Sequence, residues 1–212
     1  LYNLSDNKIM ENANPSQQQL SNLLEHYQAG RLDDAEKLAT SISQDFPKHQ
    51  FAWKVLGAVF AATGRNSKAA VANQTAVALS PQDHEAHNNL GNTLKQLGKL
   101  DEALTSYRQA ISLKTDFVLA HYNLGNTLKQ LGKLDEALAS YRQAIALKPD
   151  FVLAHNNLGN TLKQLAKLDE ALASYRQAIA LKPDYDEAYY NLGNTLRELG
   201  RLDEALASYR PV

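Results

Sequence analysis

The string NNLGNTLKQLGKLDEAL begins at Asn88 and returns almost unchanged at Tyr122, Asn156 and Tyr190, each time after the same interval. A fixed period of about 20 to 50 residues is the signature of a solenoid, in which each repeat packs only against its neighbours. Aligned on the repeated Leu-Gly pair, the chain divides after a flexible leader (1–15) into five full repeats and a broken sixth: 16–49, 50–83, 84–117, 118–151, 152–185 and 186–212.

Within a repeat, the apolar residues recur at helical spacing. Ala86, Leu90 and Leu94 fall at i, i+4 and i+8, which is one stripe of an α-helix, and a second stripe begins at Leu100. Glycine also recurs inside the first helix, where it costs about 1 kcal/mol relative to Ala. We therefore predict two paired helices per repeat, with the glycine allowing a close approach. The first repeat lacks this glycine and resembles a divergent cap.

Turn and cap signals separate the predicted helices. Gly98 suits the left-handed conformation just past a helix end, and Asp101 suits the first turn of the next helix. Between repeats, Pro149 is expected to end one helix and Asp150 to cap the next. Ala166 replaces the turn glycine in its repeat, and a positive φ there would cost about 1 kcal/mol.

The repeated positions resemble the signature of the tetratricopeptide repeat (TPR) family, over about residues 16–210. One repeat carries it as Trp53, Leu56, Gly57, Ala69, Ala76 and Pro81, and another as Leu124, Gly125, Ala137, Tyr141, Ala144 and Pro149. The resemblance implies an all-α, right-handed superhelical solenoid of helix–turn–helix hairpins. It also implies a scaffold or adaptor that binds other proteins, without naming the partner, because the fold serves many.

Polar residues recur on the face of the first helix that lies away from the apolar stripe. An asparagine side chain offers two donors and an acceptor, which suits the main chain of an extended peptide, and a neighbouring row of lysines would attract acidic groups. By resemblance to TPR arrays, the first helices line a concave groove. The candidate peptide-binding residues are Asn89, Asn92, Lys95, Tyr122, Asn123, Asn126, Lys129, Asn157, Asn160, Lys163, Tyr190, Asn191, Asn194 and Arg197.

The asparagine rows are similar to those of the TPR region of O-linked N-acetylglucosamine transferases and related bacterial proteins. There an asparagine ladder holds the backbone of protein substrates, and by resemblance Asn89, Asn123, Asn157 and Asn191 carry it. Two structural origins stay open beside binding: the side chains bond each other and set the superhelix pitch, or recent duplication copied them. A carboxylate clamp for chaperone tails is not expected, because only Lys54 is basic at the matching place.

The other recurring polar residues are expected to have structural roles rather than catalytic or metal-binding ones. His87, His121 and His155 share a place with Trp53 in another repeat, which favours packing over metal binding. Acidic pairs such as the one at Asp101 open helices and are expected to stabilise their first turns. No catalytic constellation, phosphate loop or metal motif is recognisable, so the chain is predicted to be no enzyme and to need no cofactor or metal.

The composition of the chain limits the classes of partner that it is expected to bind. The formal net charge of −1 gives no electrostatic case for nucleic acid, and the chain has no cysteine. No apolar run reaches the length of a membrane span and no signal peptide is recognisable, so membrane insertion is not expected and a cytoplasmic location is the default.

The last repeat suggests two further roles. Pro211 is expected to break its second helix, so that Leu202, Leu206 and Tyr209 leave an apolar end uncovered. Such an end would allow end-to-end stacking into a homo-oligomer, or would mark a fragment of a longer chain. The predicted function is a protein–protein interaction module that binds an extended segment in its groove. The alternatives are the substrate-recruiting region of a larger enzyme, such as a glycosyltransferase, and a self-assembling array.

Overall fold

The computed structural model describes residues 14–209 of the chain, as twelve α-helices with no β-strand among the described residues. The chain forms two compact units, Leu1–Leu113 and Lys114–Val212, called here the N-terminal and C-terminal units. Residues 1–13 and 210–212, which include most of the predicted leader and Pro211, lie outside the described residues.

Each unit contains three helical hairpins. The N-terminal unit has α1 (Gln17–Gln28), α2 (Leu32–Asp45), α3 (Gln50–Ala62), α4 (Asn66–Leu79), α5 (His84–Gln96) and α6 (Leu100–Leu113). The C-terminal unit has α7 (Val118–Gln130), α8 (Leu134–Leu147), α9 (Val152–Gln164), α10 (Leu168–Leu181), α11 (Asp186–Glu198) and α12 (Leu202–Ser208). Within a unit every helix packs against the next one in the chain. The predicted all-α solenoid of hairpins is therefore confirmed, while the repeat boundaries stay a prediction.

Most of the local signals are confirmed, and one is wrong. Gly98 has φ 75° and Ala166 has φ 56°, so both adopt the left-handed conformation predicted for the turn. Asp150 does not cap α9: the N-cap is Phe151, and its side chain makes no capping hydrogen bond. The equivalent place in the N-terminal unit holds Asp83, whose side chain does cap α5. The sequence interpretation placed the cap one residue too early.

In four of the six repeats, the glycine inside the first helix allows a tyrosine to pack against it. A Cβ added to Gly125 would lie 2.8 Å from a ring carbon of Tyr141, and the distance is 2.6 Å for Gly91 and Tyr107. These tyrosines are fully buried, so the predicted close approach is confirmed. In the first repeat, the larger side chain is on the first helix instead. Leu23 stands at the glycine place and Ala39 at the tyrosine place, and both are buried.

Candidate functional site

The first helices of the C-terminal unit, α7, α9 and α11, share one polar face that is joined by side-chain hydrogen bonds. Asn157 donates through Nδ2 to the Tyr122 hydroxyl at 3.0 Å and to Asn126 Oδ1 at 2.9 Å. Asn191 donates through Nδ2 to Asn156 Oδ1 at 3.1 Å. This asparagine face brings together eleven of the candidate residues: Tyr122, Asn123, Asn126, Lys129, Asn157, Asn160, Lys163, Tyr190, Asn191, Asn194 and Arg197.

The second asparagine row is bonded to the tyrosine core. Tyr141 donates its hydroxyl to Asn126 Oδ1 at 2.7 Å, and Tyr175 does the same to Asn160 Oδ1 at 2.8 Å. Burial raises the pKa of both phenols, so they keep the proton that they donate. The carbonyl oxygen of each amide is therefore in use, whereas Nδ2 of Asn160 donates no hydrogen bond within the described residues.

The same contact recurs in the repeats on either side. Tyr107 donates to Asn92 Oδ1 at 2.8 Å in the N-terminal unit, and Tyr209 donates to Asn194 Oδ1 at 2.9 Å in the C-terminal unit. Sequence reasoning missed this pairing, although a signal was present. Each asparagine of this row is followed at one constant spacing by a tyrosine, and the repeat that has Ala58 instead has Asn73 at the tyrosine place.

The first asparagine row is oriented the opposite way. Both Nδ2 hydrogens of Asn157 are used in its bonds to Tyr122 and Asn126, and its Oδ1 accepts none within the described residues. Asn191 also donates through Nδ2 and leaves Oδ1 as an acceptor. On the asparagine face, Asn157 and Asn191 of the first row thus present acceptors, and Asn160 of the second row presents a donor.

A cavity of about 520 Å³ lies at the C-terminal ends of these helices, lined by Lys129, Asn160, Lys163, Gln164, Asn191 and Glu198. Lys163 Nζ forms an ion pair with Glu198 Oε1 at 2.8 Å. Glu198 stands where the other regular repeats have glutamine. The ion pair compensates the charge of Lys163, so the expected attraction for acidic groups is weakened at this lysine.

The two candidate tyrosines differ in their surroundings. Tyr122 is half-buried, with ring centroids 4.9 Å from Phe151 and 6.1 Å from Tyr141. Tyr190 is 61% exposed, and its ring lies 6.4 Å from that of Tyr209. Tyr122 therefore supports the framework of the face, and Tyr190 offers an aromatic surface to solvent.

In the N-terminal unit, the three candidates Asn89, Asn92 and Lys95 lie on α5. The backbone oxygen of Asn89 accepts a hydrogen bond from Thr93 Oγ1 at 3.0 Å, while Asn92 is exposed. Lys95 is half-buried, and burial lowers its pKa. These residues lie on the same helix face as their counterparts, as the spacing predicts.

Lys54, which occupies the clamp place in the N-terminal unit, is held by two carboxylates. Its Nζ lies 2.9 Å from both Asp83 Oδ2 and Glu85 Oε2. Burial opposes the ionisation of Asp83, but hydrogen bonds from Lys54, the Ala86 amide and Gln50 outweigh it and lower the pKa of Asp83 to about 2. The charge of Lys54 is therefore compensated within the unit.

The three repeated histidines close the turns before their helices. Nε2 of His87, His121 and His155 each lies 2.9 Å from the backbone oxygen six residues earlier. Trp53 donates its Nε1 hydrogen to the equivalent oxygen, that of Pro47, at 2.9 Å. Within residues 14–209, no three His, Asp or Glu side chains are grouped so that they could hold a metal ion. None of the helices in that range is long and apolar enough to cross a bilayer.

Comparison with known proteins identifies the fold's relatives. The sequence model of the TPR repeat matches four overlapping segments, 57–98, 91–132, 125–166 and 160–200. The structure is similar to that of MamA, with a TM-score of 0.69 and 25% identity over 73% of this chain and 90% of that one. No curated protein sequence matches the chain significantly.

Two other solved structures show the same fold. PilW, a widely conserved type IV pilus biogenesis factor, has a TM-score of 0.83 and 19% identity over 92% of this chain and 91% of that one. YrrB, described as a TPR protein with an unusual peptide-binding site, has a TM-score of 0.69 and 21% identity over 88% of this chain and 96% of that one.

Proposed function

Because the chain belongs to the TPR repeat family, we propose that it is a protein–protein interaction module whose asparagine face binds an extended peptide segment of a partner. Membership of this family supports the general role, since TPR arrays present repeated helical surfaces to other proteins. The observation that carries the finer proposal is the opposite orientation of the two asparagine rows. Recognition rather than catalysis is proposed, with no cofactor, metal or nucleic acid.

The two rows match what an extended main chain can offer. Oδ1 of Asn157 and Asn191 can accept hydrogen bonds from peptide N–H groups, and Nδ2 of Asn160 and Asn194 can donate to peptide carbonyls. A helical ligand has already satisfied most of its backbone groups within itself, whereas an extended segment has not. The face therefore favours an extended ligand and binds it largely independently of its side chains.

The internal hydrogen bonds also prepare the face for binding. Asn157 and Asn160 are each held by a neighbour, so their amides lose less rotational freedom when a ligand arrives. These internal hydrogen bonds are also what the alternative predicts, in which the asparagines only join the helices. Each amide uses one end for the architecture and keeps the other end for a partner, and the two roles coexist.

An isosteric substitution separates these roles. Asn160→Asp keeps the oxygen that accepts the Tyr175 hydroxyl but replaces the free donor with a second acceptor. We would select 12-residue peptides from a random display library on the wild-type chain and measure their affinities for the double variant Asn160→Asp/Asn194→Asp. Loss of one hydrogen bond costs about 0.5–1.5 kcal/mol, so the loss of two is expected to weaken binding by about 5- to 100-fold.

The matched control carries the same two charges elsewhere in the same unit. Gln143→Glu and Gln177→Glu place them on exposed positions of α8 and α10, and this variant should bind the selected peptides as the wild type does. Circular dichroism should show equal helicity for all three proteins. If the wild type enriches no peptides, or if both variants bind equally well, the proposal is wrong.

A second candidate function, self-association, is favoured by the surface of α12. Leu206 is 72% exposed, whereas Leu138 and Leu172 at the same place in two other repeats are 3% and 1% exposed. In those repeats the second helix packs against the first helix of the following hairpin. Sedimentation equilibrium tests this candidate: the mass should rise with concentration in the wild type and not in Leu206→Gln. A monomeric wild type at all concentrations excludes it.

A further inference from the structure

Two exposed leucines border the asparagine face. Leu119 on α7 is 51% exposed and Leu153 on α9 is 46% exposed. Leu119 stands three residues before Tyr122, and Leu153 stands four before Asn157, which puts each leucine one turn from the polar residues on the same side of its helix. The two helices are adjacent there, because Asn157 bonds to Tyr122 across them.

We propose that the segment bound by the asparagine face adopts the polyproline II conformation and places two apolar side chains, three residues apart, on Leu119 and Leu153. This inference rests on the proposed function, since it names the chemistry of the ligand at the same site. The asparagines recognise only the main chain of the ligand, and this inference adds a requirement for apolar side chains at two ligand positions.

The spacing of the helices determines the period of the ligand. Neighbouring packed helices have axes about 10 Å apart, so equivalent residues of α7 and α9 are separated by about that distance. An extended chain advances about 3.1 Å per residue in polyproline II and about 3.3 Å in a β-strand. Three ligand residues therefore span the interval from Leu119 to Leu153.

The interval of three ligand residues also distinguishes a β-strand from a polyproline II helix. Side chains three residues apart point to opposite faces of a β-strand, because its period is two. In polyproline II they point the same way, because that helix has three residues per turn. Only the second conformation brings an apolar side chain to both leucines while the backbone stays on the asparagines.

The apolar border ends at α11. The equivalent residue there is Glu187, whose carboxylate accepts hydrogen bonds from Asn156 Nδ2 at 3.0 Å and from the Tyr185 hydroxyl at 3.0 Å. An apolar ligand side chain would gain nothing beside this engaged carboxylate. The ligand is therefore expected to carry two such side chains and a polar residue at the third place.

The test repeats the random 12-residue library selection on the wild type, on Leu119→Gln/Leu153→Gln, and on Val71→Gln as a matched control. Val71 is an exposed apolar residue on α4, in the other unit. Peptides enriched on the wild type and on Val71→Gln should share two apolar residues at i and i+3, and their affinity for the double leucine variant should fall about tenfold. Moving one apolar residue to i+2 in a selected peptide should weaken binding to a similar extent.

Each outcome is decisive. If the enriched peptides show no three-residue apolar spacing, or bind the leucine variant as tightly as the wild type, this inference is overturned while the proposed function stands. If the wild type enriches no peptides at all, both fall. Circular dichroism of the leucine variant should match the wild type, because both side chains already face solvent.

Discussion

The two units solve the same packing problem with different chemistry. At one repeated contact, between the fifth residue of a repeat and its last, the N-terminal unit has the ion pair of Lys54 and Asp83 at 2.9 Å. The C-terminal unit has a contact between the tilted rings of Tyr122 and Phe151 at the same place. The backbone of the repeat determines where two side chains meet, and leaves open how they interact.

The core shows a second difference between the units. In the C-terminal unit, the hydroxyl of the buried Tyr141 is paired with Asn126. In one repeat of the N-terminal unit, Asn73 occupies the tyrosine place; its Nδ2 donates to Thr93 Oγ1 at 2.9 Å and to the Asn89 backbone oxygen at 3.5 Å, but its buried Oδ1 has no partner within the described residues. A polar atom buried without a partner costs stability. The regular repeats are therefore expected to be the more stable part of the array.

The largest effects on the free energy of unfolding are expected when the two core residues, Tyr141 and Asn73, are truncated to alanine. Tyr141→Ala removes a fully buried aromatic ring and should lower the free energy of unfolding by about 3–5 kcal/mol. Asn73→Ala removes the hydrogen bond to Thr93 and the long one to Asn89 together with the unpaired oxygen, and should cost less than about 1.5 kcal/mol. Urea denaturation followed by circular dichroism measures both losses of stability; equal losses would contradict the larger contribution expected from the buried ring.

Filling the glycine positions should have the next largest effect. Gly125→Ala places a methyl group against the fixed ring of Tyr141, and such overpacking costs about 1–3 kcal/mol. Gly57→Ala meets the Asn73 side chain, which must rotate away and give up its hydrogen bond to Thr93, so it should cost about 0.5–1.5 kcal/mol. Hydrogen exchange of α3 and α7 would locate each loss, and a larger loss for Gly57→Ala would refute the explanation.

The two nearly identical repeats of the C-terminal unit have different residues, Gly132 and Ala166, at the same turn position, so each residue can be replaced by the other. Ala166→Gly should stabilise by about 1 kcal/mol, because φ is positive there, and Gly132→Ala should destabilise by a similar amount. A Cβ on Gly132 would meet no atom within 4 Å, so backbone conformation is the cause. Thermal denaturation of the two single variants should show shifts of opposite sign, and shifts of the same sign would disprove this.

The last effect is expected from pH, through the ion-paired Asp83 of the N-terminal unit. The pKa of Asp83 is lowered to about 2, below its value of 3.8 in an unfolded chain, so its contribution is complete above pH 4 and is lost as the pH falls through 2. Asp83→Asn should lower stability at pH 6 and reduce the change between pH 4 and pH 2. A variant that keeps the full acid dependence would show that other carboxylates cause it.

Much of the fold could be predicted because its signals are local. The fixed period, the turn glycines such as Gly98 and the glycine inside each first helix all reflect spacing and backbone conformation that the sequence shows directly. Asp150 was wrongly predicted as a cap because aspartate suits several places in a tight turn, and the residue that begins the helix is set by the hydrogen bonds of the turn itself.

The candidate site could be placed on one helix face, but its chemistry could not be predicted. The sequence alone determined that asparagines recur beside the apolar stripe, since helical spacing is periodic. Only the tertiary structure decided that Tyr175 takes the oxygen of Asn160, that Glu198 pairs with Lys163 and that Asp83 pairs with Lys54. Each of these pairs joins parts of the sequence that are distant from one another, and the packing of helices brings their atoms within bonding distance.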